Sequence, residues 1–396
     1  MLLLPIRPAR CCIAAYGRLW SLRIASRPDA RLFSATATVA TATYPALVYS
    51  KYGRPEDILR VSRLSLPPLA KSSVNVQFLA APINPADINV LQGTYPVKPT
   101  FSDDIGGAVA GNEGVARVVA VGSDVHDLSV GDWVLPLASG SGTWRTHAQY
   151  SRDDLLQIDH DGVSPITAAT VTVNPSTAYR MVRDFAPLKT GDVLLQNGAN
   201  SGVGQAVIQL ARAWGIRTVN IVRSRPNFGE LKSELQELGA DLVITEDEAR
   251  RPEIAAAVKE LGEGHMPSLA LNCVGGKSAT NMIRLLGHGG HVVTYGGMSR
   301  EPLTLPTSAF IFKDLKAHGF WMTRWYNEHS TSERAAMLKD LFKMAREGKL
   351  KEPWHRVWKF SANGVKGDEG LQTLCREAVA EAGKGLTSRK QIFTFE

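Results

Sequence analysis

Long apolar runs are absent from this 396-residue sequence. No stretch approaches the roughly 18 to 20 consecutive apolar residues that a membrane-spanning helix needs. A composition of 44% hydrophobic and 21% charged residues is typical of a globular protein, and this length favours about two domains. The sequence therefore predicts a folded protein without a membrane span.

Cysteine is scarce, and neither a CxxC pair nor an HExxH motif occurs. Cys11 and Cys12 lie near the N-terminus, whereas Cys273 and Cys375 are isolated from each other and from any cysteine. Zinc sites in proteins are recognisable by closely spaced cysteine and histidine ligands, so the sequence predicts no metal site. Four cysteines also fit a reducing compartment.

Acidic residues are nearly absent from the first forty residues, which contain six arginines, no lysine and one acid, Asp29. This segment carries five of the seven net positive charges, so the remaining chain carries only two. A nearly neutral body argues against broad nucleic-acid binding. The Arg-, Ser- and Ala-rich segment 1–40 predicts a mitochondrial presequence cleaved between Phe33 and Thr43, rather than a secretory signal or a basic tail.

The rest of the sequence falls into a β-rich part and a part in which strands alternate with helices. Residues 41–170 contain short strand-like runs separated by Gly and Pro, which predicts a barrel-like domain. Alternation over 171–324 predicts βαβ units and a parallel sheet. It begins with a helix in which Asn174 is the expected N-cap. Residues 391–395 read as a last strand that returns to the first domain, so 325–396 is assigned to that domain.

A glycine-rich turn between a predicted strand and helix is the sharpest motif. It reads LLQNGANSGVGQAV over 194–207, with Ala199 in place of the first glycine of GxGxxG and with Gly202 and Gly204 retained. Glycine allows the backbone to approach a pyrophosphate at a helix N-terminus. Glycine can also serve strand–helix packing alone, but the flanking strand, helix and next strand favour a dinucleotide site.

The end of the next predicted strand bears on the choice of cofactor. An NAD site has an acidic residue there, whereas this chain reads VRSRP, with Arg223 and Arg225 around Ser224. A guanidinium matches a phosphate group and a carboxylate would repel it. The two arginines could instead be solvated surface residues without a ligand. Their position at the end of the second strand favours phosphate binding, and therefore NADP(H) over NAD(H).

Taken together, these residues and motifs resemble the medium-chain dehydrogenase/reductase superfamily, with a GroES-like β-rich catalytic domain and a Rossmann cofactor domain. Zinc-dependent members carry a GHE segment, but Asn112 stands where that histidine would be, so the chain resembles a zinc-free member. Within the superfamily the chain is similar to the mitochondrial trans-2-enoyl thioester reductases. The motifs include NPADINVLQGTYP (84–96), GNEGVARVVAVG (111–122), VNPSTAYRM (173–181), QNGANSGVGQAVIQLA (196–211), IFKDLKAHGFW (311–321) and SRKQIFTF (388–395).

This resemblance implies that Tyr95, in QGTYP, is the proton donor. Without the resemblance, Tyr95 would be interpreted as a residue that packs across a proline-containing turn. It also implies cofactor contacts, although several of these residues could serve as a helix cap, a core strand or a solvated strand end. The implied cofactor-binding residues are Asn174, Asn200, Ser201, Gly202, Val203, Arg223, Arg225, Tyr295, Gly296, Gly297, Met298, Phe320, Trp321, Met322 and Lys390.

The activity that the resemblance implies is NADPH-dependent reduction of trans-2-enoyl thioesters, on acyl-carrier protein or CoA, as the last reductive step of mitochondrial fatty-acid synthesis. The implied assembly is a homodimer in the mitochondrial matrix. Two alternatives stay open: a zinc-free quinone or enone oxidoreductase, and a cofactor-regulated binding protein. Quinone reduction does not need a dedicated proton donor, so the presence of Tyr95 favours an enoyl thioester reductase over a quinone reductase. A cofactor-regulated binding protein would bind the cofactor without turnover.

Overall fold

The computed structural model of the chain describes residues 42–361, 367–384 and 389–395. The predicted presequence, 1–40, and its cleavage site lie almost entirely outside these residues. The described strands are β1 (Thr43–Tyr49), β2 (Arg60–Ser65), β3 (Ser73–Pro82), β4 (Ala108–Val109), β5 (Val115–Val121), β6 (Trp133–Pro136), β7 (His147–Ser151), β8 (Leu155–Ile158), β9 (Val193–Asn197), β10 (Arg217–Val222), β11 (Leu242–Thr245), β12 (Leu269–Asn272), β13 (His291–Thr294), β14 (Lys316–Gly319), β15 (His355–Phe360) and β16 (Lys390–Phe395).

The described helices alternate with the strands most regularly in the second half of the chain. They are α1 (Pro55–Ile58), α2 (Pro85–Leu91), α3 (Pro165–Thr170), α4 (Asn174–Asp184), α5 (Gly202–Ala213), α6 (Phe228–Leu238), α7 (Pro252–Leu261), α8 (Gly276–Ile283), α9 (Thr307–Lys313), α10 (Met322–Glu328), α11 (Thr331–Arg346) and α12 (Gly367–Gly383). Among the residues described, none of these helices has the length and apolar character to cross a membrane.

Six parallel strands form one sheet in the order β11-β10-β9-β12-β13-β14. Successive side chains on a strand point to opposite faces of the sheet. In β9, Leu194 packs in a cluster with residues of α4 and α5, whereas Leu195 packs with residues of α7 and α8. Helices therefore cover both faces, which explains why β9 is fully buried.

The remaining strands form two mainly antiparallel sheets. One has the order β15-β16-β3-β5-β6-β8, with β7 also paired to β3, and the other has the order β2-β1-β4. The last strand, β16, pairs antiparallel with β3, where Ile392 lies opposite Pro82. The prediction that 391–395 returns to the β-rich part is therefore confirmed, as is the α/β class with a GroES-like part and a Rossmann part. The exact domain boundaries stay a prediction.

One hydrophobic cluster joins the β-rich part to the parallel-sheet part. It combines Val115 and Leu135 of β5 and β6 with Val207 of α5 and Leu341 of α11. Because packed cores resist deformation, this cluster holds the two parts at a defined spacing. The two parts are therefore packed against each other through a shared core.

The predicted N-cap of α4 is wrong by one residue. Val173 is the capping residue, and Asn174 is the first residue of the helix itself. The Asn174 side chain does not cap its own helix but lies 3.4 Å from the Asn84 amide oxygen. Tertiary contacts at this end, described below, take the place of a local cap.

Candidate active site

A cavity of about 840 Å³ lies between the β-rich part and the parallel sheet. The residues that directly follow β9, β10, β11, β12 and β13 all line it, and these are Gly198, Arg223, Glu246, Cys273 and Tyr295. Ligands of open α/β sheets bind at the carboxyl ends of the strands, so this is the expected position for a cofactor. All sixteen residues predicted from the sequence line this one cavity, while their roles stay predictions.

The glycine-rich turn connects β9 to α5 at the cavity wall. Ser201 caps α5, and its hydroxyl accepts a hydrogen bond of 3.1 Å from the Gly204 amide. A Cβ atom on Gly204 would lie 2.4 Å from the Ala199 carbonyl oxygen, and one on Gly202 would lie 2.8 Å from Asn174 Nδ2. Gly204 is therefore required by the close approach of the Ala199 backbone, whereas Gly202 faces only the end of the Asn174 side chain. The amides of the first turn that Ser201 does not cap are available to an anion in the cavity.

The two arginines at the end of β10 lie on the same cavity. Arg223 is exposed, while Arg225 is partly buried, and burial together with the Arg223 charge lowers the pKa of Arg225. Glu246, at the end of the neighbouring β11, also lines the cavity, and the sequence reasoning missed it because it lies outside the VRSRP segment. The site therefore offers two cations for a phosphate group with one carboxylate nearby.

Tyr95 meets Trp321 across the cavity. The Trp321 indole Nε1 donates a hydrogen bond of 2.8 Å to the Tyr95 hydroxyl oxygen, and the rings are edge to face with centroids 6.0 Å apart. An indole N–H can only donate, so it occupies a lone pair of the phenol and leaves the phenol's own proton for another acceptor. Burial raises the pKa of Tyr95, although the Trp321 hydrogen bond opposes this. The phenol therefore stays protonated at neutral pH.

The turn that carries Tyr95 is held by its backbone. The amides of Thr94 and Tyr95 both donate to the Asn89 carbonyl oxygen, at 2.9 and 3.2 Å. Gly93 has a φ of +74°, and a Cβ atom there would lie 2.8 Å from the Tyr52 ring. This is a left-handed, closely packed position that favours glycine. The turn after α2 therefore directs the tyrosine into the cavity rather than into the core.

Aromatic and apolar side chains form the wall beside Tyr95. The sequence left open whether Phe320, Trp321 and Met322 belong to a core strand or to the site. The strand β14 ends at Gly319, and the three residues follow it along the cavity. Phe320 and Met322 are buried in the core, while Trp321 is only partly buried. The segment 320–322 therefore contributes both to the hydrophobic core and to the wall of the cavity.

The hydroxyl of Tyr295 is buried beside the Cys273 thiol and the Ser201 hydroxyl, which both affect its pKa, but within the described residues it makes no hydrogen bond of normal geometry. Burial raises the pKa of Tyr295 well above its usual value. Met298, at the other end of this loop, is 48% exposed. Because Cys273 and Ser201 do not satisfy this hydroxyl with normal geometry, it is available to a polar group of a ligand in the cavity.

A set of hydrogen-bonded polar residues, which we call the buried polar cluster, extends from the cavity wall into the protein behind it. Glu113 is 4% exposed and accepts hydrogen bonds from Asn84 Nδ2 at 2.7 Å, Thr172 Oγ1 at 2.8 Å and the Val173 amide at 3.0 Å. Lys390 Nζ donates to the other amide atom of Asn84, Oδ1, at 2.5 Å. The cluster consists of Asn84, Asp87, Glu113, Thr172, Asn174 and Lys390.

The acids of this cluster are strongly affected by burial. Burial raises the pKa of Asp87 to about 7, with a further contribution from the nearby Glu113 charge. Of the cluster, only Asn174 and Lys390 were predicted from the sequence. Charged residues are seldom fully buried unless they are paired, but a single sequence does not reveal burial. The only feature of the sequence that pointed to the burial of Glu113 was its position inside AGNEG, just before an apolar strand.

Asn112, which stands where zinc-dependent members of the superfamily have a histidine, makes a structural hydrogen bond. The side-chain oxygen of Asn112 accepts a hydrogen bond of 2.8 Å from the Gly140 amide and thereby joins two loops. In the described part of the chain, no three His, Cys, Asp or Glu side chains are grouped so that they could hold a metal ion. Cys273 and Cys375 are both buried and free.

Two family descriptions match the chain. "Alcohol dehydrogenase GroES-like domain" matches residues 70–181, and "Zinc-binding dehydrogenase" matches residues 202–340. A human protein named "Enoyl-[acyl-carrier-protein] reductase, mitochondrial" is 48% identical over 326 residues, which is 82% of this chain and 84% of that protein.

Solved structures give the same result. A complex described as "ETR1P/NADP/crotonyl-CoA" has a TM-score of 0.83 and 36% identity, covering 89% of this chain and 100% of that one. A mitochondrial 2-enoyl thioester reductase heterodimer, Etr1p/Etr2p from Candida tropicalis, has a TM-score of 0.83 and 37% identity over the same shares of the two chains.

Proposed function

Because the chain belongs to the mitochondrial enoyl-[acyl-carrier-protein] reductases of the medium-chain dehydrogenase/reductase superfamily, we propose that it reduces trans-2-enoyl thioesters to saturated acyl thioesters with NADPH. The thioester is carried by acyl-carrier protein or CoA, and the reaction is the last reductive step of mitochondrial fatty-acid synthesis. One observation carries the proposal: a partly buried phenol, held by Trp321, shares a cavity with the glycine-rich turn and the arginine pair.

The residues around the cavity fit NADPH. At Gly204 the turn 198–204 has no room for a side chain, and Gly202 has none, so the backbone of the turn can lie against a pyrophosphate. Arg223 and Arg225 fit the additional phosphate of NADPH, and the unpartnered Tyr295 hydroxyl can bond a polar group near the nicotinamide. When bound, NADPH supplies the hydride for the β-carbon of the enoyl thioester.

Tyr95 provides the proton in this proposal. As the β-carbon is reduced, negative charge develops on the thioester oxygen. A protonated phenol can donate a hydrogen bond to that oxygen or transfer its proton to the α-carbon. Trp321 orients the phenol by donating to its oxygen, so the phenol's proton faces the substrate. In this proposal the hydrogen bond from the Tyr95 phenol stabilises the negative charge that develops on the thioester oxygen.

Replacing Trp321 by phenylalanine should lower kcat about five- to tenfold, because one hydrogen bond contributes about 1 kcal/mol. The KM for NADPH should change little. In a Tyr95→Phe background the same substitution should have no further effect, since the two residues act together. Trp133, which stacks on His160 and does not line the cavity, provides the matched control Trp133→Phe. Additive losses in the double variant would contradict the positioning role.

The proposed assembly is a homodimer that pairs the edges of two parallel sheets. The strand β14 is the last strand of its sheet and so has one free edge. Beside it, α9 exposes three large apolar side chains, Phe310, Ile311 and Phe312, which are 42%, 67% and 75% exposed. An open edge next to apolar residues suits a second copy of the same surface about a two-fold axis.

The double substitution Ile311→Glu with Phe312→Glu should convert this dimer to a monomer, because four carboxylates would meet at one two-fold interface. Light scattering measures the mass directly. Val130 is 67% exposed, like Ile311, but is distant in sequence from β14, so Val130→Glu should leave the dimer intact. A wild-type monomer, or a variant that stays dimeric, would refute the proposed interface.

The proposed location is the mitochondrial matrix, because residues 1–40 have the composition of a matrix-directed presequence. Matrix acyl-carrier protein and CoA thioesters would then be the accessible substrates. The relatives named above are mitochondrial as well.

The proposed activity is tested by following NADPH oxidation with a medium-chain trans-2-enoyl-CoA, with NADH and a quinone as parallel reactions. We expect consumption of NADPH with the enoyl thioester and much slower reactions in both parallel assays. Turnover with the quinone alone would support the quinone reductase alternative. Tight NADPH binding without turnover of either substrate would support the cofactor-regulated binding protein.

A further inference from the structure

Glu113 connects three segments of the chain behind the cavity wall. Its two carboxylate oxygens accept three hydrogen bonds, and its own carbonyl oxygen accepts one of 2.8 Å from Thr143 Oγ1. Two of the donors, Thr172 Oγ1 and the Val173 amide, directly precede α4. Glu113 itself does not line the cavity, whereas Asn84, Thr172 and Val173 do. It is therefore placed to act on the cavity through other residues.

The donors around Glu113 set the orientation of Asn84. A carboxylate with three donors can only accept, so the Asn84 NH₂ group must face it. The Asn84 oxygen then faces the opposite way, toward Lys390 Nζ at 2.5 Å and Asn174 Nδ2 at 3.4 Å. The result is a directed chain of hydrogen bonds from the Lys390 ammonium through Asn84 to the Glu113 carboxylate.

We propose that Glu113 is a positioning residue for the cofactor: through Asn84 it orients the Lys390 ammonium toward the cavity and provides the negative charge that keeps it a cation. The inference rests on the proposed contact between Lys390 and NADPH. In this proposal the buried Glu113 carboxylate, which does not line the cavity, controls the charge of the Lys390 ammonium, which does.

The charges around both groups support this assignment. Burial lowers the pKa of Lys390, and the nearby carboxylates oppose that change, Glu113 more than Asp87. Burial raises the pKa of Glu113, while Lys390 and its three hydrogen-bond donors oppose that change. The other titratable groups near Glu113 are Tyr326 and Arg334. Without Glu113, the pKa of Lys390 would fall further, and the ammonium would lose its proton at a lower pH.

The experiment measures NADPH affinity by nicotinamide fluorescence from pH 7 to pH 10, which is above the second pKa of a phosphate monoester, about 6. In the wild type, affinity should fall as pH rises and Lys390 is deprotonated. In Glu113→Gln the same fall should start at a lower pH, so that affinity is about tenfold weaker at pH 9 but nearly unchanged at pH 7. Lys390→Met should bind weakly at every pH, with no such fall.

Two further variants separate charge from packing. The double variant Glu113→Gln, Lys390→Met should behave like Lys390→Met alone, because Glu113 acts through that lysine. Glu113→Asp keeps the charge but cannot reach all three donors, so its affinity should drop by the same factor at every pH while the midpoint stays at the wild-type pH. It also serves as the test if Glu113→Gln does not fold.

Several results would overturn the inference. A Glu113→Gln profile that is parallel to the wild type would mean a purely structural role, and additive losses in the double variant would mean that Glu113 does not act through Lys390. A shifted midpoint in Glu113→Asp would exclude the charge argument. Failure of the wild type to bind NADPH at any pH would overturn the proposed function as well, so the two failures are distinguishable.

Discussion

The substitution Tyr95→Phe should lower kcat for the enoyl thioester by about 10²- to 10⁴-fold, the usual contribution of a positioned general acid. NADPH binding should stay close to the wild-type value, because the ring remains and only the hydroxyl is lost. The physical reason is that Trp321 donates to the phenol oxygen, which leaves the phenol's own proton for a substrate in the cavity. Stopped-flow absorbance of NADPH under single-turnover conditions measures the chemical step alone.

The pH dependence offers an independent check of the same role. Burial raises the pKa of Tyr95 above its usual value of 10.0, so the acid stays protonated across the neutral range. Loss of activity from deprotonation of Tyr95 is therefore expected only above about pH 10, and the wild-type kcat should not fall below that pH for this reason. A descending limb near pH 8 that disappears in Tyr95→Phe would contradict the raised pKa.

Tyr52 provides the matched control for Tyr95. Its ring packs against Gly93 in the same turn, and it is 41% exposed, but it does not line the cavity. Tyr52→Phe removes the same hydroxyl from the same neighbourhood and should retain nearly full activity. If Tyr95→Phe were as active as Tyr52→Phe, Tyr95 would be a packing residue, and the proposed proton transfer would be wrong.

The second large effect is expected at the end of β10. The double substitution Arg223→Ala, Arg225→Ala should weaken NADPH binding about a hundredfold, because each charged hydrogen bond to a phosphate contributes about 1.5 kcal/mol or more. NADH binding, which involves no such phosphate, should be nearly unchanged. Measurement of both dissociation constants by fluorescence gives the change in the NADPH-to-NADH preference, which is the quantity that tests the phosphate contact.

Two controls distinguish the phosphate contact from a general effect of charge. Arg251→Ala removes an arginine that is exposed like Arg223 but does not line the cavity, and should have no effect. Glu246→Gln removes a carboxylate that lines the same cavity as the pair and should strengthen NADPH binding modestly, by removing a repulsion of the phosphates. Equal loss of NADPH and NADH affinity in the arginine double variant would mean that the arginines support the fold rather than the phosphate.

How much of the molecule could be predicted depends on the distance along the chain between the interacting residues. The glycine-rich turn is contiguous: β9, the turn, and α5 follow one another, and the glycine pattern is local, so the sequence was sufficient. The alternation of strands and helices also follows from local periodicity and correctly indicated the parallel sheet. The returning strand β16 was recognised from its β-branched and aromatic residues.

Contacts between distant residues could not be predicted in this way. Tyr95 was identified by its family motif, but its hydrogen-bond partner lies 226 residues further along the chain. Asn174 was predicted to cap its own helix because Asn followed by Pro is a local capping signal. In the structure Glu113, about sixty residues earlier, holds the start of α4 through Thr172 and Val173, and this contact replaced the local cap.

The linear sequence was thus sufficient to predict the fold class, the position of the dinucleotide turn, the arginines at the end of β10 and the family to which the tyrosine motif belongs. Each of these depends on neighbouring residues or on a linear motif. The tertiary structure alone decided which side of Tyr95 is free to donate, the direction of the Asn84 amide and the burial of Glu113 with Lys390. Those properties depend on burial and on which distant groups meet, because a donor or a charge acquires its chemistry from the groups that surround it in space.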